Sequence, residues 1–121
     1  MKILIVDDSE LLQERLKNAL LKVAQNLFIA QAYSCQEAME LFKTFGPDSV
    51  ILDIALPDGS GINLLQHFKE DRPTVNVIML TNYPITEFKN RCMELGANQF
   101  FDKSNLSVLI KSIKCNNSIL N

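Results

Sequence analysis

Short apolar runs recur along the chain, and the clearest of them stop at a carboxylate. Ile3-Leu4-Ile5-Val6 stops at Asp7, and Val50-Ile51-Leu52 stops at Asp53. Runs this short and without polar alternation are typical of strands covered on both faces, as in a parallel sheet between layers of helices. The pattern predicts five strands, over residues 2–6, 27–33, 50–52, 75–80 and 99–102.

Between these runs, apolar residues recur every three or four positions, which is the spacing of amphipathic helices. The first such stretch begins at Ser9 and carries polar residues, Gln13 among them, between its apolar positions. Ser34 is a candidate cap for the second, and Pro84 suits the first turn of a fourth helix from about Ile85 to Leu95. The predicted apolar faces are Leu12, Leu16, Ala19, Leu20 and Val23; Ala38, Leu41, Phe42 and Phe45; Ile62, Leu64, Leu65 and Phe68; Ile85, Phe88, Cys92 and Leu95; and Leu106, Leu109, Ile110 and Ile113.

This alternation of five strands with five helices predicts an α/β fold, a doubly wound five-stranded parallel sheet with right-handed crossovers. The second strand ends in Tyr33-Ser34-Cys35 and offers no strand-end chemistry like that of the others. We therefore expect it at the outer edge, in the flavodoxin-like strand order 2-1-3-4-5. The length fits a single domain over residues 1–121.

Composition narrows the partners and the compartment. With 12 basic and 14 acidic residues the formal net charge is -2, which gives neither a field for nucleic acid nor a polybasic patch for a membrane. Cys35, Cys92 and Cys115 lack the spacing of a disulfide framework or a zinc site, so we expect reduced thiols. Between Met1-Lys2 and Asp7-Asp8 lie only four apolar residues, too few for a signal peptide or a membrane span. We therefore expect a cytoplasmic protein.

Four of the predicted strands end in reactive polar groups: Asp7-Asp8, Asp53, Thr81 and Lys103. Because the carboxyl ends of parallel strands share one edge, these groups are expected to converge in one crevice. Three carboxylates crowded together need a cation, and oxygen ligands favour Mg²⁺. An ammonium and a hydroxyl beside a metal-bound carboxylate suit phosphoryl transfer, here to Asp53. Taken alone, Asp53 has a simpler alternative, a cap on the following helix.

These residues, in this order and spacing, resemble the receiver domain of two-component response regulators over essentially the whole chain. Pro57 and Gly61 also match the family's loop after the acceptor. The resemblance implies that a histidine kinase or histidine phosphotransfer protein supplies the phosphoryl group and that Asp53 holds it as an acyl phosphate. The signal then passes to an unknown downstream target protein through the face of helix four, strand five and helix five. We expect a stand-alone module without an output domain.

The resemblance also implies a ligand set for magnesium. Asp8 and Asp53 would bind the ion directly, the Ala55 carbonyl would be a third ligand, and Asp7 would act through water. The implied catalytic set is Asp53, Thr81 and Lys103. Thr81 and the backbone amides of Ala55 and Asn82 would receive the phosphoryl oxygens, and Lys103 would pair with one of them.

Several positions depart from the family pattern. Asn82 stands where Ala or Gly is usual, and Ser104 stands where many members have Pro. Phe100 occupies the place of a switch aromatic that is often Tyr, so the ring is kept and the hydroxyl is lost.

The resemblance implies that the positions two residues after Asp53 and Thr81 border the approach of water to phosphorus. Here they are Ala55, which cannot orient a water, and Tyr83, which together with Asn82 could cover the entrance. We therefore expect a comparatively long-lived acyl phosphate.

Two other functions use similar residues. A phosphatase of the haloacid dehalogenase type also needs a strand-end Asp, a Thr or Ser, a Lys and magnesium. It requires a second acid two residues after the nucleophile, where this chain has Ala55. A scaffold receiver that is never phosphorylated is the other alternative, and the intact acidic, hydroxyl and lysine set argues against it. We expect a signalling phospho-acceptor, not an enzyme that acts on other substrates.

Overall fold

The computed structural model describes residues 1–24 and 26–116, with side chains as far as residue 112. Within these residues, five parallel strands form one sheet, in the order β2-β1-β3-β4-β5. The strands are β1 (Lys2–Val6), β2 (Phe28–Ala32), β3 (Ser49–Leu52), β4 (Asn76–Thr81) and β5 (Gln99–Asp102). The predicted fold class and strand order are therefore confirmed, and the predicted strand ends are off by at most one residue.

In the described part of the chain, five α-helices alternate with these strands, as predicted. They are α1 (Glu10–Val23), α2 (Cys35–Phe45), α3 (Gly61–Asp71), α4 (Thr86–Glu94) and α5 (Leu106–Asn116). A single 3₁₀ turn, Lys103–Asn105, joins β5 to α5. Among the described residues, none of the helices is long and apolar enough to cross a membrane. The predictions for Ile113, Cys115 and residues 117–121 concern side chains or positions outside the described part of the chain.

Helices cover both faces of the sheet, and alternate residues of each strand point into opposite layers. In β1, Leu4 and Val6 join the core beneath α2, α3 and α4, whereas Ile3 and Ile5 join the core beneath α1 and α5. This double cover explains why the strands have no polar alternation. It also leaves the carboxyl edge of the sheet as the place where polar side chains gather.

The helix starts differ in how they are capped. Ser9, Ser34 and Ser60 precede α1, α2 and α3, and the side chain of each accepts a hydrogen bond from a backbone amide of the first turn. Ile85 precedes α4 with an extended backbone (φ -77, ψ 133) and makes no side-chain cap. The predicted start of α4 at Ile85 is therefore wrong by one residue, and Pro84 lies before the helix instead of in its first turn.

Two local features were not predicted. Gln13, which the sequence grouped with the polar positions of α1, is fully buried, in line with Leu16 on the inner side of the helix. Ala55–Leu56 pairs with Gly59–Ser60 in a two-residue antiparallel hairpin. Strands this short carry no periodic signal in a sequence.

Candidate functional site

The carboxylates of Asp7, Asp8 and Asp53 meet beyond the carboxyl ends of β1 and β3. Val6 is in register with Leu52, so the acids that follow them leave the sheet at the same level. Asp7 and Asp53 are buried and Asp8 is exposed. One oxygen of each carboxylate lies within 4.8 Å of the other two. Three carboxylate oxygens form a donor set that fits a hard divalent cation such as Mg²⁺.

The Lys103 ammonium lies between the two buried acids. Its Nζ is 2.6 Å from Asp7 Oδ2 and 2.9 Å from Asp53 Oδ2. Burial raises the pKa of Asp53, and this effect exceeds the lowering by the hydrogen bond from Lys103. Burial also acts to lower the pKa of Lys103, but its bonds to Asp7 and Asp53 together outweigh burial and leave that pKa raised. Lys103 therefore stays protonated and offsets part of the negative charge.

The loop after Asp53 depends on a close backbone approach at Gly61. A Cβ at this position would lie 1.8 Å from the Asp53 carbonyl oxygen, and the Gly61 N–H donates to the Ile54 carbonyl at 2.6 Å. The backbone N–H of Ala55 acts to lower the pKa of Asp53, the smallest of the effects on that carboxyl. Ser60 caps α3, so the alternative in which Asp53 serves as that cap is wrong. The Asp53 carboxylate is left facing the acidic cluster and Lys103.

Thr81, Asn82, Tyr83 and Phe100 lie on the side of the crevice formed by β4 and β5. Thr81 ends β4 and is fully buried, and its Oγ1 accepts a hydrogen bond from the Tyr83 N–H at 3.0 Å. Asn82 is exposed, and the Tyr83 side chain is 53% exposed. Phe100, in β5, is half-buried against the core beneath α2, α3 and α4. The switch role of Phe100, the gating role of Tyr83 and the phosphoryl contacts of Thr81 and Asn82 stay predictions.

Gln13 is a buried neighbour of the site that sequence reasoning missed. Its Nε2 lies 3.1 Å from the carbonyl oxygen of Ile5, 3.1 Å from that of Asp7 and 3.0 Å from that of Ala32. The available signal was its spacing three residues before Leu16, which places it on the inner face of α1. Because glutamine is polar, the sequence pattern groups Gln13 with the polar positions of the helix instead.

Asp58 ties the acceptor loop to another helix. Its carboxylate accepts the backbone N–H of Cys35 at 2.7 Å and that of Gln36 at 3.0 Å, at the start of α2. These two backbone hydrogen bonds lower the pKa of Asp58. The partners are more than twenty residues apart in sequence, so local pattern gave no sign of this contact. Asp58 therefore links the Asp53 loop to α2.

Comparisons with known proteins agree with this arrangement. The family model described as the response regulator receiver domain matches residues 3–114. The chemotaxis protein CheY of Halobacterium salinarum is 31% identical over 103 residues, which span 84% of this chain and 83% of that protein. The transcriptional regulatory protein LnrK of Bacillus subtilis is 32% identical over 114 residues, or 93% of this chain. The chain spans about half of LnrK, 51% of its length.

Solved structures show the same likeness. The signal receiver domain of a DNA-binding response regulator from Colwellia psychrerythraea has a TM-score of 0.87 at 29% identity, with 94% of this chain and 95% of that chain covered. A DrrB receiver domain activated with BeF3 has a TM-score of 0.81 at 26% identity, with 93% of each chain covered. The chain belongs to the family of response regulator receiver domains.

Proposed function

We propose that this receiver domain accepts a phosphoryl group on Asp53 in a magnesium-dependent reaction and signals through a change at Thr81 and Phe100. The observation that carries the proposal is the buried pair of Asp7 and Asp53 bridged by the Lys103 ammonium. This arrangement places a nucleophilic oxygen, a cation and a candidate metal site in one crevice.

The acidic cluster would hold the ion through Asp8, Asp53 and the Ala55 carbonyl, with Asp7 acting through water. Magnesium bound there would neutralise the charge that builds up between the carboxylate and the incoming phosphoryl group. An Asp53 carboxylate oxygen forms the new P–O bond while the bond from phosphorus to the donor breaks. Lys103, now bonded to Asp53 Oδ2 at 2.9 Å, then pairs with a phosphoryl oxygen.

The backbone amides of Ala55 and Asn82 and the Thr81 hydroxyl receive the remaining phosphoryl oxygens. Thr81 Oγ1 now holds the Tyr83 N–H, so moving its hydroxyl to the phosphoryl group loosens the start of the segment that leads into α4. The space it leaves admits Phe100. This local rearrangement favours one of two states at the end of the sheet.

A histidine kinase or histidine phosphotransfer protein is the proposed donor, and a downstream protein is the proposed reader. The face of α4, β5 and α5 is the proposed contact surface. Tyr83, Ile85, Met93 and Val108 expose between 44% and 53% of their surface on or beside α4 and α5. Exposed apolar side chains of this kind are suited to contact with a protein.

Intact mass after incubation with acetyl phosphate and Mg²⁺ tests the acceptor. We expect one added phosphoryl group in the wild type and none in Asp53→Asn, because the amide offers no attacking carboxylate. His67→Gln, at an exposed position on α3, is the matched control and should be labelled like the wild type. Label that persists in Asp53→Asn, or that disappears in His67→Gln, contradicts the proposal.

Timed loss of this label tests Tyr83 as the residue that gates water. Tyr83→Ala should shorten the lifetime of the acyl phosphate, because the exposed ring borders the predicted approach to phosphorus. Phe100→Ala should leave the lifetime nearly unchanged and weaken phosphorylation-dependent binding to the target. Decay in Tyr83→Ala that is no faster than in the wild type removes Tyr83 from this role.

A further inference from the structure

We propose that Gln13 is a positioning residue for the acidic cluster. Its buried carboxamide fixes the backbone at the end of β1, from which Asp7 and Asp8 extend. The inference rests on the proposed magnesium-dependent function and identifies a buried group that prepares the site for the cation.

The carboxamide nitrogen is enclosed by acceptors. Gln13 is 0% exposed, and its Nε2 reaches the carbonyl oxygens of Ile5, Asp7 and Ala32 at 3.0 to 3.1 Å. An amide nitrogen has two hydrogens, so the three carbonyls share them. Because all three neighbours are acceptors, the carboxamide must be oriented with its nitrogen, not its oxygen, towards them.

The carboxamide oxygen is anchored as well. Gln13 Oε1 accepts a hydrogen bond from Gln31 Nε2 at 3.2 Å, and Gln31 lies in the edge strand β2. The Ala32 carbonyl that Gln13 contacts also accepts the Asp7 N–H at 3.0 Å. Gln13 therefore joins the end of β1 to the end of β2, and neither end of its side chain is free to rotate.

This anchoring acts on the two metal-binding acids through the peptide between them. The Asp7 carbonyl belongs to the peptide that leads into Asp8, so its direction sets where the Asp8 side chain starts. On the other side, Asp7 Oδ1 accepts the Ser9 N–H at 2.9 Å. The backbone from Asp7 to Ser9 is held from both sides. Without the Gln13 carboxamide, buried carbonyls lose a hydrogen-bond donor. The peptide between Asp7 and Asp8 is then expected to shift so that its carbonyl can find another donor.

Magnesium affinity of the unphosphorylated protein, measured by calorimetry, tests the proposal. Gln13→Met keeps the length of the side chain and removes its hydrogen bonds. We expect about tenfold weaker binding, the lower end of the range for groups that orient metal ligands. Leu20→Ala is the control, because Leu20 is also fully buried on α1 but lies farther along the helix. It should lose stability and keep its magnesium affinity.

Amide chemical shifts of Asp8 and Ser9 in the metal-free protein give a second readout. They should move in Gln13→Met and stay unchanged in Leu20→Ala. Gln31→Met removes only the hydrogen bond to Gln13 Oε1. It should change the magnesium affinity and the amide shifts in the same direction as Gln13→Met, but by a smaller amount. This variant still tests the proposal if Gln13→Met does not fold. Wild-type affinity and wild-type shifts in the folded glutamine variants overturn the proposal. A wild type that binds no magnesium counts against the proposed function, while the amide shifts still decide the role of Gln13.

Discussion

The two sides of the crevice are held in different ways. On the acidic side, Asp7 and Asp53 are buried, bridged by Lys103 and supported from behind by Gln13, and the helices that follow start at serine caps. On the side formed by β4 and β5, which is the proposed switch side, Thr81 is followed by exposed residues and by α4. Of the residues of α4, only Cys92 is buried, and the helix starts without a side-chain cap.

Under the proposed function, this difference separates the binding of the cation and the phosphoryl group from the response to them. A site for a cation and a phosphoryl group gains when its ligands are fixed in advance, since no reorganisation is needed at the moment of reaction. A switch gains when the moving element is held by few contacts, so that one new hydrogen bond can shift its equilibrium. Thr81 lies at the boundary, buried at the end of β4 and bonded through its oxygen to the Tyr83 amide.

The largest expected effect comes from breaking the acidic side at Gly61. In Gly61→Ala the new Cβ meets the Asp53 carbonyl, and the backbone must move. We expect a loss of more than about 4 kcal/mol in the free energy of unfolding, a size that is rare for single substitutions. Gly46→Ala is the control, because Gly46 has φ 65 and no atom within 4 Å of an added Cβ. It should cost only about 1–2 kcal/mol, and equal losses in urea titrations contradict the close approach.

Removing the bridging ammonium has the next largest effect. Lys103→Met leaves Asp7 and Asp53 buried without a cation, which should lower the free energy of unfolding by about 3 kcal/mol in the presence of a chelator. Added Mg²⁺ should restore part of the loss. Lys111→Met, at an exposed position of α5, should stay within about 0.5 kcal/mol of the wild type. Similar losses in the two variants would mean that Lys103 holds the site no more than a surface lysine does.

The pH dependence of stability tests the burial of Asp53. Its pKa is raised from 3.8, so the protonated carboxyl favours the folded state and the ionised carboxylate disfavours it. The contribution of the protonated form to stability is lost as pH rises through the folded pKa. Asp53→Asn should therefore be more stable than the wild type at neutral pH without metal. The gain should vanish near and below pH 3.8. A gain that is the same at every pH, measured by thermal unfolding, contradicts this cause.

The smallest effect sharpens the comparison on the switch side. Ile85→Asp gives α4 the cap that it lacks and should raise the free energy of unfolding by about 1 kcal/mol. Ser34→Ala removes the Ser34 side-chain cap from α2, leaves the contacts of Asp58, and should lower the free energy of unfolding by a similar amount. If the added cap also reduces the response to phosphorylation, the loose start of α4 is part of the switch.

Sequence pattern was sufficient for the buried strands and for the residues at which they end. The runs that end at Asp7, Asp53 and Thr81 follow from strands buried on both faces, and their convergence follows from parallel pairing. Pattern was insufficient where a contact joins distant segments. The buried amide of Gln13 and the cap that Asp58 places on α2 depend on partners that only the folded chain brings together.

Hydrogen exchange with Mg²⁺ and BeF3, compared with Mg²⁺ alone, tests the central claim most directly. If the account is right, the acidic side stays fixed when Asp53 receives the phosphoryl group, and the side formed by β4 and β5 changes. Protection from exchange should therefore change most in residues 82–94, from the end of β4 through α4. It should change least in residues 7–13. Asp53→Asn should show no change in either segment. A response centred on residues 7–13, or one that survives in Asp53→Asn, contradicts the account.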